Sequence, residues 1–128
     1  MLNILIKTDS HYKVNRKRIR KIIEDYLRKK RIRGKTELSI SVVGNRQMRM
    51  LNKKYRDLDE TCSVLAFPQI DVGRVSEFIH PPDDILRLGD IILSYPQIID
   101  LASEEKKLID DKIDELIFHG LNNLLGES

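Results

Sequence analysis

The hydrophobic period of this chain switches repeatedly between about two and about 3.6 residues, which restricts it to a sheet packed by helices. Leu2, Ile4 and Ile6 alternate with Asn3, Leu5 and Lys7, an opening strand. The next segment is helical, capped by Asn15, with Ile19, Ile22, Ile23, Tyr26 and Leu27 as its apolar stripe. Its other face carries Arg16, Lys17, Arg20, Lys21, Arg28 and Lys30, and Gly34 closes the stretch. Alternation returns from Thr36 to Val43 through Leu38, Ile40 and Val42, a second strand. Gly44-Asn45 starts a short helix with Met48, Leu51 and Tyr55 on one side. Ser63 to Phe67, closed by Pro68, reads as a short strand. Residues 69 to 87, with Gly73, Pro81 and Pro82, read as a loop-rich insertion. Leu88 to Ser94 is expected to be a strand buried on both faces and stopped by Pro96. Helices then run from about Gln97 and from about Lys107 to Leu124. The order β-α-β-α-β-β-α-α predicts one α+β domain over residues 1–128, a small mixed sheet packed by helices.

A chain of 128 residues buries well over half of its unfolded surface, so it needs neither a metal nor a disulfide merely to fold. Cys62 is the sole cysteine, which excludes an internal disulfide and suits a reducing, cytoplasmic setting. The start, Met1-Leu2-Asn3-Ile4, lacks the pattern of an export signal, and no apolar run approaches ~18 residues. Neither export nor membrane spanning is expected.

Charge is unevenly spread. Between Lys13 and Lys35 there are 12 Lys or Arg against Glu24 and Asp25, whereas Pro96 to Ser128 holds 8 acidic residues against 3 lysines. The basic pole, with Arg16, Lys17, Arg20 and Lys21, would attract a polyanion such as RNA. It reads equally as a solvated helix. Aromatic content is only 5%, so base-stacking platforms are not expected.

Candidate chemistry gathers on the last helix. Ile109, Ile113, Leu116, Ile117, Gly120 and Leu124 form its buried stripe, and His119 falls on the flank. One turn on, the same flank carries Asn123. Two histidines at i and i+4 grip a transition metal, but an amide is a weak ligand, and a lone flank histidine reads as structural. His11 and His80 fall in expected loops and read as incidental. Asp90 reads either as a partner orienting a histidine or as a buried structural aspartate, and Cys62 as a packing residue.

Three strings in order carry more weight. They are Leu51-Asn52-Lys53-Lys54-Tyr55-Arg56 with Val64-Leu65-Ala66-Phe67-Pro68, then Leu88-Gly89-Asp90-Ile91, then His119-Gly120-Leu121 running to Leu124-Leu125-Gly126. Together they resemble the bacterial YbeY family of endoribonucleases and rRNA maturation factors, which have a zincin-like fold. The resemblance implies metal-assisted hydrolysis of single-stranded RNA in ribosome maturation or quality control. Ribosomal RNA and the ribosome would be the partners, and Arg56, matching the family's functional arginine, would contact phosphate. The family's terminal motif, His-Gly-x-Leu-His-Leu-x-Gly-Tyr-Asp-His, holds Zn(2+) through its three histidines. His119, Gly120, Leu124 and Gly126 match it; Asn123 stands at the second ligand position, and Glu127 and Ser128 replace the Tyr-Asp pair. The third histidine would fall one residue past Ser128. The motif is degenerate or truncated, with one ligand of three in place. The resemblance thus leaves two expectations: a zinc-dependent endoribonuclease, or an inactive relative that binds RNA or the ribosome.

Overall fold

The computed structural model describes residues 2–69 and 85–126. The element order is β1 (Leu2–Thr8), α1 (Arg16–Lys29), β2 (Lys35–Val43), α2 (Asn45–Arg56), β3 (Val64–Pro68), β4 (Ile85–Ser94), α3 (Tyr95–Glu104) and α4 (Ile109–Leu124). The strands form one mixed sheet in the order β1-β2-β4-β3, with β1/β2 and β2/β4 parallel and β3/β4 antiparallel. The α+β architecture expected from the sequence is the one found.

Local chemistry explains α1. The Asn15 side chain accepts a hydrogen bond from the Arg18 backbone N–H at 3.1 Å, and Arg28 and Lys29 in the last turn suit the negative end of the helix dipole. Ile19, Ile23, Tyr26 and Leu27 are buried, joining Ile4, Ile6, Leu38, Ile40, Leu88, Ile91 and Leu93 of the sheet in the main core. Ile98 of α3 and Ile113, Ile117, Leu121 and Leu124 of α4 complete it, so α1, α3 and α4 cover one sheet face. Each fully buried isoleucine or leucine contributes about 1.5–3 kcal/mol relative to exposure. On the other face α2 seats Met48 against Val43 and Leu65, a separate small core.

Several expected boundaries move, each for a physical reason. Strand β4 begins at Ile85, so residues 85–87 of the expected loop pair with Lys35, Thr36 and Glu37. Exposed Arg87 faces Glu37 across the ladder at 3.3 Å, and such a polar residue interrupts the apolar run that marks a strand. Residues 70–84, with Gly73, His80, Pro81 and Pro82, lie outside the described residues, as do Glu127 and Ser128. Nor is β4 buried on both faces: Asp90 and Ile92 are only half-buried. The pairing shifts between Glu37 and Leu38, where Leu88 and Gly89 stand against Leu38. This bulge keeps Leu86, Leu88, Ile91 and Leu93 all in the core despite the odd spacing. Pro96 does not precede α3 but occupies its first turn, where a missing N–H costs nothing. In α2, Tyr55 is 56% exposed and the polar Asn52 is buried instead.

Candidate functional site

Helix α4 lies close to the sheet because Gly120 has no side chain. A Cβ there would stand 3.0 Å from both Cδ1 and Cγ2 of Ile91 in β4. The approach brings the next residue back along the helix, His119, beside the start of β3. A cleft of about 350 Å³ opens there, lined by Ser63 and Val64 on one side and by Glu115, Phe118, His119 and Asn122 on the other. His119 is exposed, so an imidazole faces solvent within the cleft.

The cleft has further donors and an aromatic face that the sequence did not disclose. Tyr26 Oη of α1 donates to Asn122 Oδ1 at 2.6 Å, which fixes the amide with its NH2 unused by that bond. Phe118 is 51% exposed and meets the Tyr26 ring edge-on, with centroids 5.1 Å apart. A partly open aromatic ring beside an imidazole is suited to stacking a base. The low aromatic content had argued against such a platform; the signal available was Phe118 lying off the buried stripe, next to His119. Asn122 and Ser63 carried no local signal, because their relation to His119 depends on α1 and β3.

The loop leading to Ser63 is pinned by α2. Asn52 Nδ2 donates to the Glu60 carbonyl at 2.9 Å, and Arg49 pairs with Asp59 at 2.8 Å. Asn45 Oδ1 accepts from Ser94, Thr61 and Gln97, tying the same loop to the start of α3. Arg56 is exposed at the end of α2, followed by Asp57 in the left-handed conformation. Burial pushes the Cys62 thiol up, and the Arg56 charge opposes that. Cys62 packs half-buried against the small core of Val43, Met48 and Leu65, as expected for a packing residue.

The donors around His119 do not fit a three-ligand zinc. Asn123 is exposed one turn along the same flank and offers only an amide. Glu115 lines the cleft, but Lys107 at 2.7 Å and Lys112 at 3.2 Å hold its carboxyl below the usual range and claim its oxygens. Among the described residues no group of three or more His, Cys, Asp or Glu is placed to hold a metal ion.

The remaining expected site residues are dispersed. Arg16 and Arg20 are exposed, yet each donates one N–H to a carbonyl of the edge strand β1, to Ile6 at 2.7 Å and Ile4 at 2.9 Å. Lys21 pairs with Asp25 at 3.2 Å, while Lys17 is exposed. Asp90 accepts from Ser39 Oγ and borders a depression with Asn3, Leu5 and Glu37, on the sheet face away from α4. It therefore does not orient His119. His11 is exposed and raised by its hydrogen bond with Asp9, and it does not line the His119 cleft.

Comparison with known proteins shows the family and the fold. The family model described as Endoribonuclease YbeY matches residues 4–126. An Endoribonuclease YbeY of Dehalococcoides mccartyi is 31% identical over 130 residues, covering 98% of this chain and 78% of that protein. One from Acinetobacter baumannii is 33% identical over 113 residues, covering 88% of this chain and 69% of the relative. A solution structure of a Thermotoga maritima protein shares the fold, with a TM-score of 0.60 and 20% identity over 100% of this chain and 74% of that one.

Proposed function

This chain belongs to the endoribonuclease YbeY family, and on that premise we propose that it cleaves single-stranded RNA during maturation of ribosomal RNA in the cytoplasm. The observation that supports this most is the cleft at the α4–β3 seam, where an exposed imidazole, an aligned amide and an open aromatic ring converge. Each has a use on RNA. Phe118 offers a stacking surface for a base, Asn122 offers N–H donors to a phosphate oxygen, and His119 offers a ring nitrogen for proton transfer. Arg56, at the end of α2 near the same loop, has the planar fork of donors suited to a phosphate. The described donors do not match a three-ligand zinc site. The chain also has, among its described residues, no helix long and apolar enough to cross a membrane.

A second reading is favoured by Asn123 at the second ligand position and by the lysine-paired state of Glu115. Under it the chain binds RNA or the ribosome without hydrolysing anything. One experiment separates the two. End-labelled single-stranded RNA is incubated with the purified protein and with His119→Ala, each with and without chelator. Cleavage lost by at least about a hundredfold in His119→Ala supports the enzyme; binding with no cleavage by the unaltered chain supports the second reading. Loss on chelation would reveal a metal held with the help of residues outside those described.

A further inference from the structure

The basic stretch of the sequence divides into two halves with different fates. In the first, Arg16 and Arg20 bond the β1 edge, Arg18 is clamped by Asp111 and Asp114 at 2.5–2.8 Å, and Lys21 is paired with Asp25. In the second, Arg28, Arg31 and Arg33 ring a cleft of about 280 Å³ at the junction of α1 and β2, floored by Leu27 and Ile32. Glu24 is the carboxylate at its edge. Arg28 shares Asp25 at 3.4 Å, but the guanidiniums of Arg31 and Arg33 make no hydrogen bond or ion pair among the described residues.

Backbone geometry adds an independent sign. Arg31 is left-handed, at φ 60, where α1 ends with Arg31 N–H donating to the Arg28 carbonyl and Ile32 N–H to that of Leu27, both at 3.0 Å. Helices closing in this way normally place glycine at the left-handed position, since a side chain there is strained. An arginine accepted at that position, among neighbouring cations that repel it, points to use of its side chain. The cleft opens on the flank of α1 toward the β1 edge, with Leu2 in its lining, whereas Tyr26 on the other flank meets Asn122 of α4.

We propose that the Arg28–Arg31–Arg33 cleft holds backbone phosphate of the RNA strand, as a contact separate from the His119 cleft. This rests on the reading that RNA is the substrate. The test measures binding of a short fluorescent oligouridylate by anisotropy across a salt series. Each lost phosphate contact takes about 0.7 from the slope of log affinity against log salt for single strands. Arg31→Gln with Arg33→Gln should therefore flatten the slope by about 1.4 and weaken binding roughly tenfold near physiological salt. Arg31→Lys with Arg33→Lys should retain the slope. Arg31→Gly should melt higher than the unaltered protein while binding RNA more weakly, a pairing that loss of folding cannot imitate. An unchanged slope in the glutamine variant, with Lys17→Gln and Lys21→Gln flattening it instead, overturns the proposal and leaves the RNA reading standing. If the unaltered chain binds no RNA, both fall together.

Discussion

Replacing Gly89 by alanine tests the point where β3, β4 and α4 come together. Gly89 has φ +137, a conformation that L side chains rarely adopt, and an added Cβ would stand 2.2 Å from the Phe67 carbonyl oxygen. Pro68 Cα at 3.0 Å and Leu124 Cδ2 at 3.1 Å crowd the same position. The nearest obstacle is backbone and cannot rotate away. Two costs add: about 1–3 kcal/mol for the disfavoured conformation and about 1–3 kcal/mol for overpacking. Gly34→Ala is the comparator, because its φ of +88 carries the conformational cost while its Cβ would meet nothing within 4 Å. With a loss of about 4 kcal/mol against about 1–2 kcal/mol, the melting temperature should fall by roughly 15 °C for Gly89→Ala and roughly 6 °C for Gly34→Ala. Urea titration followed by circular dichroism gives the same ranking through the midpoints, with the slope unchanged. Leu124→Ala should not rescue Gly89→Ala, since the Phe67 oxygen remains. Equal losses at Gly89 and Gly34 would refute the reasoning, for they would mean that β3 does not press on the bulge.

Three further outcomes are expected. The buried Lys112 ammonium, with Lys107 beside it, holds Glu105 below the usual carboxylate range, and Lys107 with Lys112 does the same for Glu115. Carboxyls lowered in the fold stabilise it above their unfolded values, and that stability is lost as pH falls through the lowered ones, so melting temperature against acidic pH should be flatter in Lys112→Met than in the unaltered chain. Asn123→His should create an imidazole pair at i and i+4 with His119; zinc at a hundred times its dissociation constant should then add about 2.7 kcal/mol to the variant, read as a rise in melting temperature, and much less to the unaltered chain. Because Arg56 opposes the upward push of burial on Cys62, Arg56→Gln should slow thiol labelling at mildly alkaline pH; equal rates would place the guanidinium farther away.

What the sequence disclosed was local, and what it concealed was brought together by the fold. Asn15 followed by a stripe at helical spacing is a complete signal, and α1 begins where it predicts. The start of β4 was hidden because Arg87 makes its pair with Glu37, a residue 50 positions away. The bulge at Leu88–Gly89 was hidden too, since an extra residue looks like broken alternation until Leu38 is seen to face both. His119 was singled out by its helix flank and by the family string. Its companions were not, because Ser63 arrives from a loop held by Asn52 and Asn122 is set by Tyr26. The basic helix was legible as charge, but which arginines bond the β1 edge depends on strand order.

The charge contrast between the chain's two ends changes meaning once the pairs are known. An acidic carboxyl-terminal third would repel an RNA strand approaching His119 if its carboxylates were free. Asp111 and Asp114 instead meet Arg18, and Glu105 and Glu115 meet Lys107 and Lys112, so much of that charge is neutralised where α4 begins. From Phe118 to Gly126 the helix and its cap carry no acidic side chain at all. That stretch of α4 adds no negative charge beside the imidazole, and at the end of α1 Arg31 and Arg33 keep their guanidiniums unpaired among the described residues. Opposite charges are consumed at one end of the helix pair as structural clamps, which leaves the cationic cleft of Arg31 and Arg33 at the far end of α1.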